Sequence, residues 1–264
     1  MTMTSFIPSQ PPPPSFLYGA IISAIVYYVA RFLSHVSLRI VFNTSFQQKV
    51  ANLTFAQKYH YHSLLPSTIH AVIQIIGTFH FVFHGNKDVI IFDESAESFY
   101  MGFFVGYLLT DVALAPSFKV MGYPFVLHHI SASICWTFCA SNRIMQPLAN
   151  FLQFNELSTV LMNVRQVLLT AGYASSDPIV AVVSLIFFAL FAAVRVVPLP
   201  FVVHKWISSD FVSIRKKVGL DSAMLLSLFL TLNVMLQCGW FSVMVRKLIG
   251  MVITKKPKTK SKEL

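Results

Sequence analysis

The chain has 264 residues, of which 55% are hydrophobic and 11% charged, with a net charge of +10 and a mean hydropathy of +0.66. Soluble domains carry roughly 25% charged residues, so these charges are too few to cover a water-facing surface, which excludes an ordinary soluble fold. The positive excess gathers at the C-terminal end, where Lys255, Lys256, Lys258, Lys260 and Lys262 follow Arg246 and Lys247; that argues against a nucleic-acid-binding face and for a cytosolic juxtamembrane cluster.

A membrane-crossing helix needs about 20 apolar residues, and about seven segments here approach that length. The expected fold is therefore all-α, a multi-pass transmembrane helical bundle. Residues 1–15 hold no Lys or Arg, and Pro11 to Pro14 form a stiff run, so they read as a disordered tail rather than a signal peptide. Residues 16–47 carry the first span, 16–33, and a polar connection. Within residues 48–250 six further spans follow. The second is expected over 66–83, with Pro66 at the helix start, where its missing N–H costs nothing. An acidic loop with Asp88, Asp93, Glu94 and Glu97 leads to the third span, 98–115. A turn over 116–124 leads to the fourth, 125–141. The fifth, 148–170, is the most polar, holding Asn155, Glu156, Asn163 and Arg165. Asp177 and Pro178 open the sixth, 178–203, expected to kink at Pro198 and Pro200. A basic loop with Lys205, Arg215, Lys216 and Lys217 precedes the seventh, 222–245. Residues 251–264 form the basic tail.

Lys/Arg placement puts the tail and the first connection in the cytosol, although the 204–219 loop disagrees. Lys260 and Lys262, fifth and third from the end, have the form of a dilysine retrieval signal for the endoplasmic reticulum; a plain stop-transfer tail would place lysines there too. Cys135, Cys139 and Cys238 lie in apolar runs and read as packing residues.

Ionisable groups inside a bilayer cost about 3 kcal/mol each on insertion scales, so they face the bundle interior and often work. Asp111 near the end of the third span, His128 and His129 near the start of the fourth, and His70 in the second fall at one depth, with Arg165 and Asn163 approaching from the fifth. Arg195 falls in the other half, and Glu156 between. An Asp beside a His fixes the imidazole tautomer and favours its protonated form. Neighbours on a helix point about 100° apart, so only one of the paired histidines can face Asp111. Two adjacent histidines also chelate a metal awkwardly, and no metal site is expected. The alternative to function is that these groups only hold helices together.

Ser67-Thr68-Ile69-His70-Ala71, Asp111, His128-His129, Asn155-Glu156-Leu157-Ser158-Thr159 with Asn163 and Arg165, and Arg195 with Pro198 occur in an order that resembles the TLC domain family, named for TRAM, LAG1 and CLN8 proteins. The resemblance covers about residues 50–250 and is greatest to the subgroup once called transmembrane protein 56-like. The best-understood relatives, ceramide synthases, move an acyl group from acyl-CoA to a sphingoid amine. The resemblance carries their paired histidines onto His128 and His129. Their following His-Asp pair and further Asp correspond to Asn155, Glu156 and Thr159, which do not keep that chemistry.

Two functions follow as expectations. In the first, the protein acts in lipid homeostasis by holding a membrane lipid or fatty acyl group in its bundle. It uses no resident cofactor, and His70, Glu156, Asn163, Arg165 and Arg195 line the substrate. In the second, it is an acyltransferase with acyl-CoA as co-substrate and His128, His129 and Asp111 as catalytic groups; Arg165 or Lys119 meets the CoA phosphates. A seven-span receptor or transporter rests on span count alone.

Overall fold

The computed structural model describes residues 10–40, 44–85, 88–93 and 96–253, and all regular structure among them is helical. The first part of the proline-rich tail and the lysine tail with Lys260 and Lys262 lie outside the described residues. In chain order the helices are α1 (Pro14–Ile40), α2 (Thr44–Ala51), α3 (Phe55–His84), α4 (Ala96–Leu114), α5 (Phe118–Met121) and α6 (Tyr123–Ser141). Then follow α7 (Gln146–Gln153), α8 (Leu157–Thr170), α9 (Pro178–Phe191), α10 (Leu199–Lys205), α11 (Phe211–Val218) and α12 (Leu220–Ile253).

Four of the described helical runs are long and apolar enough to cross a membrane: Pro14–Leu38, Phe55–His84, Pro178–Val218 and Leu220–Gly250. The α4 and α6 helices have 19 residues each, about 28 Å at the α-helical rise. Glu97 and Asp111 in α4, and His128 and His129 in α6, dilute their apolar content. Outside the bundle, Ile21, Ile25 and Phe32 of α1, Leu185 and Ile186 of α9, and Leu228 and Met235 of α12 are exposed. Only 11% of the α12 window is buried, and an apolar surface that broad needs lipid to cover it.

Three sequence expectations change. Pro66 does not start a helix; it is buried inside α3. The helix begins earlier because Thr54 and Gln57 form a capping box, with Gln57 N–H donating to Thr54 Oγ1 at 3.3 Å and Thr54 N–H to Gln57 Oε1 at 2.9 Å. Changing Thr54 to Ala should lower stability by about 1 kcal/mol, seen as a lower melting midpoint in detergent; an unchanged midpoint would show that the start needs no cap. The fifth segment is helical throughout 146–170 but is not one α-helix: a 3-10 turn over Phe154–Glu156 joins α7 to α8.

The third change concerns 204–219, which is helical rather than a loop. Two π-helical turns, Ala192–Val196 and Trp206–Asp210, join α9, α10 and α11 into one run. The first turn takes up the distortion expected at Pro198 and Pro200, which then sit at the start of α10, where proline is tolerated. Across the second, Lys205 Nζ donates to both Asp210 carboxylate oxygens, at 2.5 and 2.7 Å, so the lysine charge is neutralised within the helix. Gly219, at φ 89°, ends the run.

Successive long helices run in alternate directions, as the connections show. At one end Lys49 Nζ donates to the Ala171 carbonyl at 2.6 Å, and His60 Nε2 donates to the Val120 carbonyl at 2.9 Å. At the other, Met145 N–H donates to Val89 O at 2.7 Å, and Lys217 Nζ donates to Ile90 O at 2.6 Å and Arg143 O at 2.7 Å. Gln146 and the Asp93 backbone exchange two hydrogen bonds there, at 2.6 and 2.7 Å. Inside, α1 lies on α4 with the backbones in contact. A β-carbon on Gly102 would overlap the Phe16 carbonyl, one on Gly106 the Ala20 carbonyl, and one on Gly19 the Phe99 carbonyl. This is the small-xxx-small seam of membrane helix pairs, and it brings Tyr27 onto the site.

Candidate functional site

The paired histidines divide α6 between two polar centres. His129 faces α1, α3 and α4. Its Nε2 lies 3.3 Å from Asp111 Oδ2, and its Nδ1 donates to the Phe125 carbonyl, one turn back, at 2.8 Å. Nδ1 thus has an acceptor, while Nε2 lies within ion-pair distance of the carboxylate without forming a hydrogen bond. Asp111 accepts from Tyr27 Oη at 2.5 Å, and Tyr59 Oη donates to the Asp111 main-chain oxygen at 3.1 Å. Arg31 lies over the Tyr59 ring, 5.0 Å from its centroid. Four helices thus meet on one carboxylate.

His70 sits beside this clasp but is not bonded into it. Its ring stacks on Tyr107, centroids 4.0 Å apart, and both nitrogens are buried without a hydrogen-bond partner. Asn163 serves a separate contact, where Nδ2 donates to Ser67 Oγ and Thr68 Oγ1, both at 3.0 Å, tying α8 to α3. Arg165 is not brought to either centre; its Nε donates to Ser184 Oγ at 2.8 Å on α9.

His128 points the other way, into a partly open cavity of about 60 Å³ lined by α4, α6, α7, the 154–156 turn, the first π-turn and α12. Among the described residues its ring nitrogens take no hydrogen bond; the ring meets Trp240 edge-on at 5.6 Å. Asn155, Glu156 and Arg195 share the cavity wall. Arg195 Nε donates to Ser158 Oγ at 2.7 Å and Nη2 to Thr159 Oγ1 at 3.1 Å. Its Nη2 is 3.6 Å from Glu156 Oε1, an ion pair too long for a hydrogen bond. Arg195 was expected in the opposite half of the bilayer from His128. It lies in the first π-turn with its guanidinium on the wall of the same cavity. Phe104, Trp136 and Phe229 supply apolar wall.

Four side chains at these centres were not singled out from the sequence. Tyr27 and Tyr59 are ordinary residues of apolar or interfacial helices, and nothing local marks them as partners of Asp111. Asn233 and Gln237 of α12 do leave a signal, two amides four residues apart in an otherwise apolar helix. Both line the cavity beside His128. Among the described residues, no three His, Cys, Asp or Glu side chains converge to hold a metal ion.

The profile of the TLC domain, shared by TRAM, LAG1 and CLN8 proteins, matches residues 14–246. The chain belongs to the TLC domain family. That match takes in α1, whose Tyr27 completes the clasp on Asp111 in this TLC domain. One similar protein is TLC domain-containing protein 4-B from Danio rerio, 26% identical over 165 residues. The match covers 61% of this chain and 62% of that relative, so it spans less than two thirds of the relative's length. The comparisons therefore agree with the helical, membrane-embedded character of the TLC chain.

Proposed function

We propose that the protein holds a membrane lipid inside its bundle and acts in lipid homeostasis at the endoplasmic reticulum. The observation that carries this reading is the cavity inside the bundle, polar at His128, Glu156 and Arg195 and apolar along Phe104, Trp136 and Phe229. Ligand pockets have this composition, mostly apolar with a few convergent polar groups. In this reading the chain crosses the bilayer about seven times, with α4, α6 and α7–α8 adding to the four long apolar runs. The lysine-rich tail then lies in the cytosol, where its dilysine pattern supports retrieval to the endoplasmic reticulum. Lipid extracted from the purified, detergent-washed protein should be recovered at about one molecule per chain, and much less from His128→Ala. Protein that melts normally yet carries no lipid, in its native membrane or after reconstitution, would sink the reading.

The unpartnered ring of His128 favours a second reading, an acyl-CoA-dependent lipid acyltransferase. A histidine with free nitrogens beside a small cavity can take a proton from an attacking hydroxyl or amine. Asp111 does not orient it, because that carboxylate belongs to His129 on the opposite face of α6. Purified protein given labelled acyl-CoA and a panel of lipid amines and alcohols tests this reading through the same His128→Ala variant.

A further inference from the structure

The cavity and a neighbouring groove together specify the kind of lipid. Among the described residues, the charged side chains on the cavity wall are Glu156 and Arg195, one of each sign and 3.6 Å apart. An ionised headgroup would therefore enter a site whose charges already compensate, and would be desolvated without a counter-ion. Size points the same way. At about 60 Å³ the cavity holds only a few water-sized groups, since one water needs roughly 10–15 Å³ of this kind of volume.

The amides of α12 add a hydrogen-bond inventory. Gln237, 1% exposed, donates through Nε2 to Asn233 Oδ1 at 3.4 Å. That leaves Asn233 Nδ2 and Gln237 Oε1 buried without partners. One is a donor and the other an acceptor, and exchanging O and N in both amides leaves the same pair of vacancies. A hydroxyl or an amide satisfies both at once. A phosphate or carboxylate offers acceptors alone.

Space for the chain of such a lipid lies beside the cavity. An apolar groove of about 520 Å³ lies between Trp206, Ile207 and Phe211 on one side and Leu230, Val234 and Met235 of α12 on the other. This volume is in the usual range for ligand pockets, about 300–1,000 Å³. Ile207 and Met235 at its mouth are 70% and 66% exposed, so it opens toward the lipid. Leu230 lines the groove and the cavity alike, which makes the two spaces neighbours across one side chain.

We infer that the cavity takes the small uncharged headgroup of a lipid, a hydroxyl or amide, while its hydrocarbon chain lies in the groove between α10–α11 and α12. This rests on the lipid-binding reading above and narrows it to a chemical class. The test offers full-length protein in detergent an equimolar mixture of four ligands sharing the oleoyl chain: oleoylglycerol, oleoylethanolamide, oleic acid and oleoyl lysophosphatidate. Native mass spectrometry reads which adducts survive. The two uncharged ligands should be retained about tenfold more than the two acids, a difference of one decade in affinity. Gln237→Leu should erase that preference while leaving residual binding of all four. Met235→Trp, a change at an exposed position that fills the groove, should weaken all four together without lowering the melting midpoint. Preferential retention of either acid, or a preference unchanged in Gln237→Leu, overturns the headgroup class and leaves lipid binding standing. Undiminished binding by Met235→Trp overturns the chain route. No adduct with any of the four, from folded protein, counts against both this inference and the lipid-binding reading.

Discussion

Asp111→Ala should destabilise the protein far more than His128→Ala, although the two residues look equivalent as polar groups in apolar helices. Removing the Asp111 carboxylate strands the Tyr27 hydroxyl, which donates to it at 2.5 Å, and His129, whose Nε2 is 3.3 Å away. Breaking a buried charge pair from one side costs about 3–5 kcal/mol, because the partner stays buried and uncompensated. For a chain of this size that is a fall of order 10 °C in melting midpoint. Asp111→Asn keeps an acceptor for Tyr27 but not the charge opposite His129, and should fall between. The His128 side chain makes no hydrogen bond among the described residues, and its removal loses ring contacts with Trp240 and His129, so it should cost about 1 kcal/mol or less. Thermal unfolding of the three variants in one detergent decides the matter. If Asp111→Ala melts within about 2 °C of the parent, the four-helix clasp does not hold the bundle together.

Gly102→Leu should have a comparably large effect by a different physical route. No rotamer of a new side chain can avoid the Phe16 carbonyl, because the overlap begins at the β-carbon and the obstacle is backbone. Helix α1 must move off α4, costing about 3 kcal/mol for the overpacking alone. It also carries Tyr27 away from Asp111, so limited proteolysis should release the N-terminal helix. Gly106→Leu meets the Ala20 backbone and should behave alike. The comparison variant is Gly239→Ala in α12, where nothing lies within 4 Å of the added atom; it should melt like the parent or slightly higher, since Ala favours helix by about 1 kcal/mol. Equal melting of Gly102→Leu and Gly239→Ala would show that α1 is held elsewhere.

What the sequence made legible was depth, and what it concealed was direction. Asp111 and the histidine pair are joined by one tight hairpin, so counting along two helices is enough to bring them together. Which histidine turns toward the carboxylate depends on helix phase, and the hairpin alone leaves that open; the fold gives it to His129. Helix starts were misread where a proline outshone a quieter signal, as with Pro66 against the Thr54–Gln57 cap. The depth count put Arg195 toward the far end of its span because that span was expected to stop near 203, whereas the helical run continues to Val218 and leaves Arg195 near its middle. Tyr27 could not be found locally. Its role exists only because three glycines let α1 touch α4, a relation between distant segments that no single window contains. Asn233 and Gln237 were readable, and their spacing in an apolar helix is the cue that a search for buried polar pairs would use.

The two π-turns also bear on how this chain compares with its relatives. A π-turn is an α-helix with one residue more than its hydrogen-bonding pattern needs, so each records, in effect, a single-residue insertion that leaves no visible loop. Every residue after it is rotated by about 100° relative to an uninterrupted helix. Across 178–218 a helical wheel drawn in one phase therefore sets Val180 and Ile214 about 160° apart, although both are buried. An alignment that forbids gaps inside helices will pair the wrong positions through this stretch. One single-residue gap near Ala192–Val196 and another near Trp206–Asp210 would bring the inward faces of relatives lacking the turns back into register.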